Sequence, residues 1–198
     1  VAFHPLILGT FQNRMEKMNF IVDLVVTRHL TTFTHSVMVS YLAEAIGKHI
    51  LAARPELLRI PSSYLEGNVY ASPAEVLDYI VPAALFHDIG KNGMIPIINT
   101  QHRKLNDYEF NIIQTHPQKG SDYLSSDPDF LIYQPVALGH HRSYDGTRGY
   151  PLSFDNTASP YRDAIDLIHI CDCLDAATDY LSRNYHRAKP FDVVLNEL

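Results

Sequence analysis

The stretch Ala83-Ala-Leu-Phe-His-Asp-Ile-Gly-Lys91 constrains this chain more than any other. It sets an adjacent His87-Asp88 pair inside an apolar helical run and follows it with Gly90 and Lys91. An imidazole and a carboxylate on a buried helix both need partners, because an unpaired polar group in an apolar setting is costly. A divalent metal satisfies both at once, since both are good ligands for Zn, Fe and Mn. The remaining ligands must then come from distant parts of the chain.

The 198 residues, 46% of them hydrophobic, suit one domain over residues 1–198 with a substantial core, not a disordered segment. No apolar run approaches the ~18 residues of a membrane span, and no signal peptide or lipidation motif is recognisable. A cytoplasmic protein with no membrane contact within this chain is therefore expected. The first residue is Val1, not Met, so a preceding sensory domain is possible. Homodimerisation is equally open. The net charge of −6 argues against binding a nucleic-acid duplex, whose phosphates call for a basic surface. A small phosphorylated nucleotide remains open, because metals bring local positive charge. Cys171 and Cys173 are two apart on an expected helix and point to different faces. They read as reduced core residues, without the partners of a thiolate metal site.

Helical spacing predicts elements over about 10–28, 33–53 and 73–90, with Thr31, Thr32 and Thr34 available as caps for the second. Residues 54–72 read as a polar loop insertion, and 94–105 look extended. Ser72-Pro-Ala-Glu75 and Asn106-Asp-Tyr-Glu109 are capping-box signatures. Gly90 and Gly93 can end the 73–90 helix, and Pro117 should bend or split the helix that begins near 106. Apolar runs predict further helices over 130–141, from 160 past Asp175, and over 190–198. No set of strands shows alternation, so the expected fold is all-α.

Four places then stand out: His35, His87-Asp88, His116 with His140-His141, and Asp172. Taken singly, each is an ordinary hydrogen-bonded or salt-bridged residue. Together they place seven metal-ligand side chains on helices that must pack, and bundles build metal sites in this way. Seven ligands are too many for one ion. They suit two divalent metals (Fe, Mn, Zn or Ni) sharing Asp88 as a bridge, the arrangement that clamps oxygens during displacement at phosphorus.

These residues resemble the HD superfamily of metal-dependent phosphohydrolases. His87-Asp-Ile-Gly-Lys91, His116-Pro-x-x-Gly120, His140-His-x-x-x-Asp-Gly-Thr-Arg-Gly-Tyr-Pro151 and Asp172-x-x-Asp175 together resemble its HD-GYP subfamily. The resemblance covers roughly residues 30–198. It implies a single helical-bundle domain with a buried two-metal centre and hydrolysis of cyclic di-GMP by a hydroxide bridging the metals. By motif, one metal is held by His35, His87, Asp88 and Asp172, and the other by Asp88, His116, His140 and His141. Asp88, Lys91 and Asp175 then serve catalysis, with Lys91 near a phosphate oxygen and Asp175 orienting a ligand or the attacking water. Substrate contacts fall on Lys91, Asp145, Gly149, Tyr150, Arg183 and Arg187. Three departures stand out, one of them a longer Arg-rich segment after Asp175, which leaves open whether Arg183 or Arg187 reaches phosphate. Members with three metals carry Glu where this chain has Thr31, which points to two. Arg148 is an extra residue in the Gly-Tyr-Pro loop. The altered loop motivates a second reading, hydrolysis of another cyclic dinucleotide, nucleotide or phosphate ester. A third is a non-catalytic sensor module, disfavoured because the two-metal ligand set is complete.

Overall fold

A computed structural model describes residues 5–62, 69–94, 105–179 and 188–197. The described residues form helices α1 (Pro5–Leu8), α2 (Arg14–Arg28), α3 (Leu30–Ala53), α4 (Pro73–Phe86), α5 (Asp107–Ile113), α6 (His116–Leu124), α7 (Gln134–Gly139), α8 (Arg162–Thr178) and α9 (Phe191–Glu197). Short 3-10 turns cover Pro55–Leu57, Ile89–Gly93 and Leu131–Tyr133. No strand occurs among the described residues, only isolated bridges between Pro61 and Tyr70 and between Arg142 and Gly149. The all-α expectation is met. The expected extended segment at 94–105 lies largely outside the described residues, as does 63–68 of the 54–72 loop.

Helix α3 is the central element: α4 packs along it on one side and α8 on another. Val39 and Ala43 of α3, Ile80, Ala83 and Ala84 of α4, and Ala164, Ile165 and Ile168 of α8 are all buried at that junction. The Ile89–Gly93 turn packs on α6, and α6 packs on α7. Burial of these apolar faces, at about 25 cal/mol per Å², drives the bundle together.

Local chemistry sets the helix ends. The Ser72 side chain accepts from the Glu75 amide at 3.4 Å, and Glu75 accepts from the Ser72 amide at 2.8 Å. The same reciprocal box starts α5 at Asn106 and Glu109. Helix α2 starts at Arg14 because the Asn13 side chain caps the Glu16 amide at 3.0 Å. The cap of α3 differs from the threonines expected: it is His29, whose Nδ1 accepts from the Thr32 amide at 3.1 Å. The split anticipated at His116-Pro117 is present, with α6 beginning at His116 and Pro117 in its first turn, where a missing N–H does no harm. Residues 130–141 are a 3-10 turn followed by α7, with Pro135 in α7's first turn.

Helix α4 ends at Phe86, four residues before the expected Gly90. Gly90 serves a different purpose. A Cβ there would lie 2.0 Å from the His116 carbonyl oxygen and 2.6 Å from the Gly120 nitrogen. Only glycine lets the Ile89–Gly93 turn approach the start of α6 so closely.

Candidate metal centre

The helix ends just described deliver the site. His35 projects from the second turn of α3. His87 and Asp88 fill the junction between α4 and the Ile89–Gly93 turn, His116 opens α6, His140 and His141 follow the end of α7, and Asp172 lies in α8. All seven converge in two groups: His35, His87 and Asp172, and Asp88, His116, His140 and His141. Within each group the potential ligand atoms lie within 4.8 Å of one another. His87, His116 and His140 are fully buried, and Asp88 is 1% exposed.

Asp88 faces both groups. Its Oδ1 lies 3.1 Å from His116 Nε2 and 3.7 Å from His140 Nε2. Its Oδ2 lies 3.5 Å from His87 Nε2, 3.7 Å from His35 Nε2 and 2.5 Å from Lys91 Nζ. One carboxylate thus offers one oxygen to each ligand group.

The imidazoles are oriented for ligation by the atoms behind them. Nδ1 of His87 lies 2.6 Å from the Ala84 carbonyl, Nδ1 of His116 lies 2.7 Å from Ile113, and Nδ1 of His140 lies 3.0 Å from Ala137. A carbonyl can only accept, so each Nδ1 carries the hydrogen and each Nε2 presents its lone pair to the cluster. The Nε2 atoms of His116 and His140 stand 3.1 Å apart. His87 Nε2 and Asp88 Oδ1 are buried without a hydrogen-bond partner. Buried lone pairs that face one another and an orphaned carboxylate oxygen fit divalent cations, whose imidazole ligands are typically fixed through the other ring nitrogen.

Electrostatics agree. Burial holds His87, His116 and His140 below the ordinary imidazole value and His141 well below it, so all four are neutral near pH 7. Burial pushes Asp88 up, but Lys91 and then the surrounding imidazoles outweigh it and leave the carboxyl well below its usual range. Asp172 is likewise held well below that range, chiefly by its bond to His35, against the opposing effect of burial. Burial also opposes charge on His35, yet bonds to Asp172 and Asp175 win and raise it to about 9.

Among the other expected site residues, Asp175 Oδ2 accepts from His35 Nδ1 at 2.6 Å, with His35 Nε2 3.0 Å from Asp172 Oδ1. The ring of Tyr150 lies 4.6 Å from that of His141 and 6.1 Å from that of His116, centroid to centroid. Gly149 has φ +85°, and a Cβ there would sit 1.9 Å from the His141 carbonyl oxygen. Asp145 is exposed, and its Oδ1 is taken up by its own turn, accepting from the Thr147 amide at 3.0 Å, Thr147 Oγ1 at 2.8 Å and Ser143 Oγ at 2.7 Å. These bonds, the Thr147 amide first, hold its carboxyl near 2. Arg183 and Arg187 lie outside the described residues. Cys171 is buried and Cys173 partly so, both as free thiols.

One neighbour escaped the sequence reading. His169 Nδ1 lies 2.6 Å from the His140 carbonyl oxygen. Its only sequence signal is its place three residues before Asp172.

Comparison with known proteins gives a consistent picture. The family model for the HD domain matches residues 32–184. A "Cyclic di-GMP phosphodiesterase" from Vibrio cholerae is 27% identical over 70% of this chain and 30% of its own length. The "Cyclic di-GMP phosphodiesterase response regulator RpfG" of Xanthomonas campestris is 32% identical over 61% of this chain and 31% of its own. The chain thus spans about a third of the length of these relatives. Among solved structures, the HD domain of the phosphodiesterase PgpH of L. monocytogenes, in complex with cyclic-di-AMP, shares the fold at TM-score 0.54 and 19% identity, covering 89% of this chain and 81% of that one. With the family match spanning most of its length, this chain belongs to the HD domain family.

Proposed function

We propose that this chain is a two-metal phosphodiesterase that opens a cyclic dinucleotide, cyclic di-GMP first among candidates. The observation that carries the reading is the division of Asp88, with one oxygen toward His116 and His140 and the other toward His35 and His87. Two cations shared by one carboxylate would be held by His35, His87, Asp88 and Asp172 on one side and by Asp88, His116, His140 and His141 on the other. Such a pair lowers the pKa of a water and neutralises charge on the oxygens of a phosphodiester.

The chain's own residues have separate tasks. Asp175 holds the hydrogen of His35 Nδ1 and so aims Nε2 at the cluster. Lys91, 23% exposed, reaches from the surface to Asp88 and can turn its ammonium to a phosphate oxygen. Tyr150, partly exposed beside His141, offers a ring face on which a base can stack. Gly149 keeps the backbone close to His141. Arg183 and Arg187 remain candidates for substrate phosphate, and Asp145 for a substrate contact, although its carboxylate is engaged within its turn.

A second reading keeps the chemistry and changes the base or the ester. Matched relatives include a "3'3'-cGAMP-specific phosphodiesterase 3" at 33% identity over 57% of this chain. Arg148 lies in the loop that carries Tyr150. The test is to load the purified chain with Mn or Fe and supply cyclic di-GMP, 3'3'-cGAMP, cyclic di-AMP and mononucleotides separately, following linear product by chromatography. Turnover of cyclic di-GMP above the others supports the first reading. Turnover of another substrate alone replaces it with the second, and no turnover of any phosphate ester removes both.

A further inference from the structure

We infer that His169 is a positioning residue for the His140–His141 ligand pair, tying that pair to the helix that carries Asp172. The inference rests on the two-metal reading above. His169 lies in α8 and belongs to neither ligand group. Its Nδ1 lies 2.6 Å from the carbonyl oxygen of His140. That oxygen cannot donate, so Nδ1 carries the hydrogen. The carbonyl is part of the peptide joining His140 to His141. It follows the last residue of α7, where helix carbonyls have no donor four residues on. The bond from His169 supplies that donor.

The contact fixes more than a helix end. The His140 ring is already anchored through Nδ1 to Ala137, and the Tyr150 amide donates to the His141 carbonyl at 3.2 Å. With His169 added, the peptide between the two ligands is held from the α8 side as well. One turn further along α8, Cys173 Sγ lies 3.8 Å from His169 Nε2. With Nδ1 holding the hydrogen, Nε2 is left to accept from the thiol, which keeps the ring in one tautomer and one orientation. Asp172 sits between these two residues on the same helix. His169 therefore couples the place of one ligand group, through Asp172, to two ligands of the other.

The test compares His169→Leu, which keeps bulk but removes the donor, with His169→Asn, whose side-chain amide can donate from near the Nδ1 position. Metal affinities are measured by stepwise chelator competition on the full chain, with His116→Ala showing which step belongs to the Asp88, His116, His140 and His141 group. Stability is measured separately in excess chelator. His169→Leu should weaken the ion of that group about 10–100-fold, the range for loss of a partner behind a ligand, and His169→Asn should recover most of it. In excess chelator His169→Leu should be the less stable of the two, by no more than a single hydrogen bond is worth. Wild-type affinity for both ions in His169→Leu overturns the inference, as does equal weakening in His169→Leu and His169→Asn, which marks a packing role. Wild-type protein that takes up fewer than two ions overturns the two-metal reading itself, a result separable from both.

Discussion

His116 and His140 point their Nε2 atoms at each other across 3.1 Å while both spend their Nδ1 hydrogens on backbone carbonyls. Two lone pairs at that separation repel unless a cation or proton lies between them. Metal removal should therefore loosen the bundle. At free metal 100-fold above Kd, mass action adds about 2.7 kcal/mol per site. For a chain of this size that is a rise in Tm of about 5–10 °C. Thermal unfolding in chelator, then after adding back Mn or Zn, measures it; an unchanged Tm on metal return would remove the cluster's claim to be a metal centre.

Asp88 touches both ligand groups, so its loss should be felt by both. On the two-metal phosphodiesterase reading, Asp88→Ala should drop bound metal from two ions per chain toward none and abolish activity. His35→Ala, by contrast, removes a ligand of one group alone and should spare the other ion. Elemental analysis of the purified variants decides it. Two ions retained in Asp88→Ala would show that the carboxylate bridges nothing.

Two glycines bring backbone up against His116 and His141 by being small. A Cβ at Gly90 would meet the His116 carbonyl at 2.0 Å, and one at Gly149, already at φ +85°, would meet the His141 carbonyl at 1.9 Å. Both contacts are with backbone, which cannot step aside as a flexible side chain can. Gly90→Ala and Gly149→Ala should each cost about 1–3 kcal/mol, the range for overpacking, and should displace a ligand as well. Gly93→Ala is the internal control, since a Cβ there meets only the Tyr123 hydroxyl, at 3.3 Å. Urea denaturation with metal content measured in parallel tests this. Equal stability across the three variants would mean that the close approaches relax freely.

That these seven side chains converge was legible because imidazoles and carboxylates inside apolar helical runs are rare and ask for partners. The all-α class followed from periodicity in the same way. Other features are invisible in residue types. Asp175 is one turn past Asp172 in the sequence, but nothing there names His35, 140 residues away, as the group it holds. His169 acts on a backbone carbonyl, which has no signature of its own. Gly90 looks like a helix stop, yet α4 has ended by then and the glycine answers to α6. His29 has no cap signature in the sequence, because imidazole is an uncommon N-cap and threonines follow it.

That cap makes a pH prediction. The Nδ1 of His29 accepts from the Thr32 amide at 3.1 Å, and the Thr32 hydroxyl lies 2.6 Å from the same atom, so the ring must be unprotonated there to cap α3. Burial first, and then the charge of Lys91, lowers its pKa from the ordinary 6.5. A group whose folded pKa is depressed binds more protons when unfolded, so its contribution is complete above pH 6.5 and fades as pH falls below it. An amide cap does not titrate. His29→Asn should therefore match wild type within about 1 kcal/mol at pH 8, the usual worth of an N-cap, and gain on it steadily toward pH 5. Because the buried imidazoles of the cluster titrate in both proteins, the quantity to follow is the difference in unfolding free energy between variant and wild type, in chelator, across that range. A difference that stays flat from pH 8 to pH 5 would show that His29 does not cap α3 through its neutral ring.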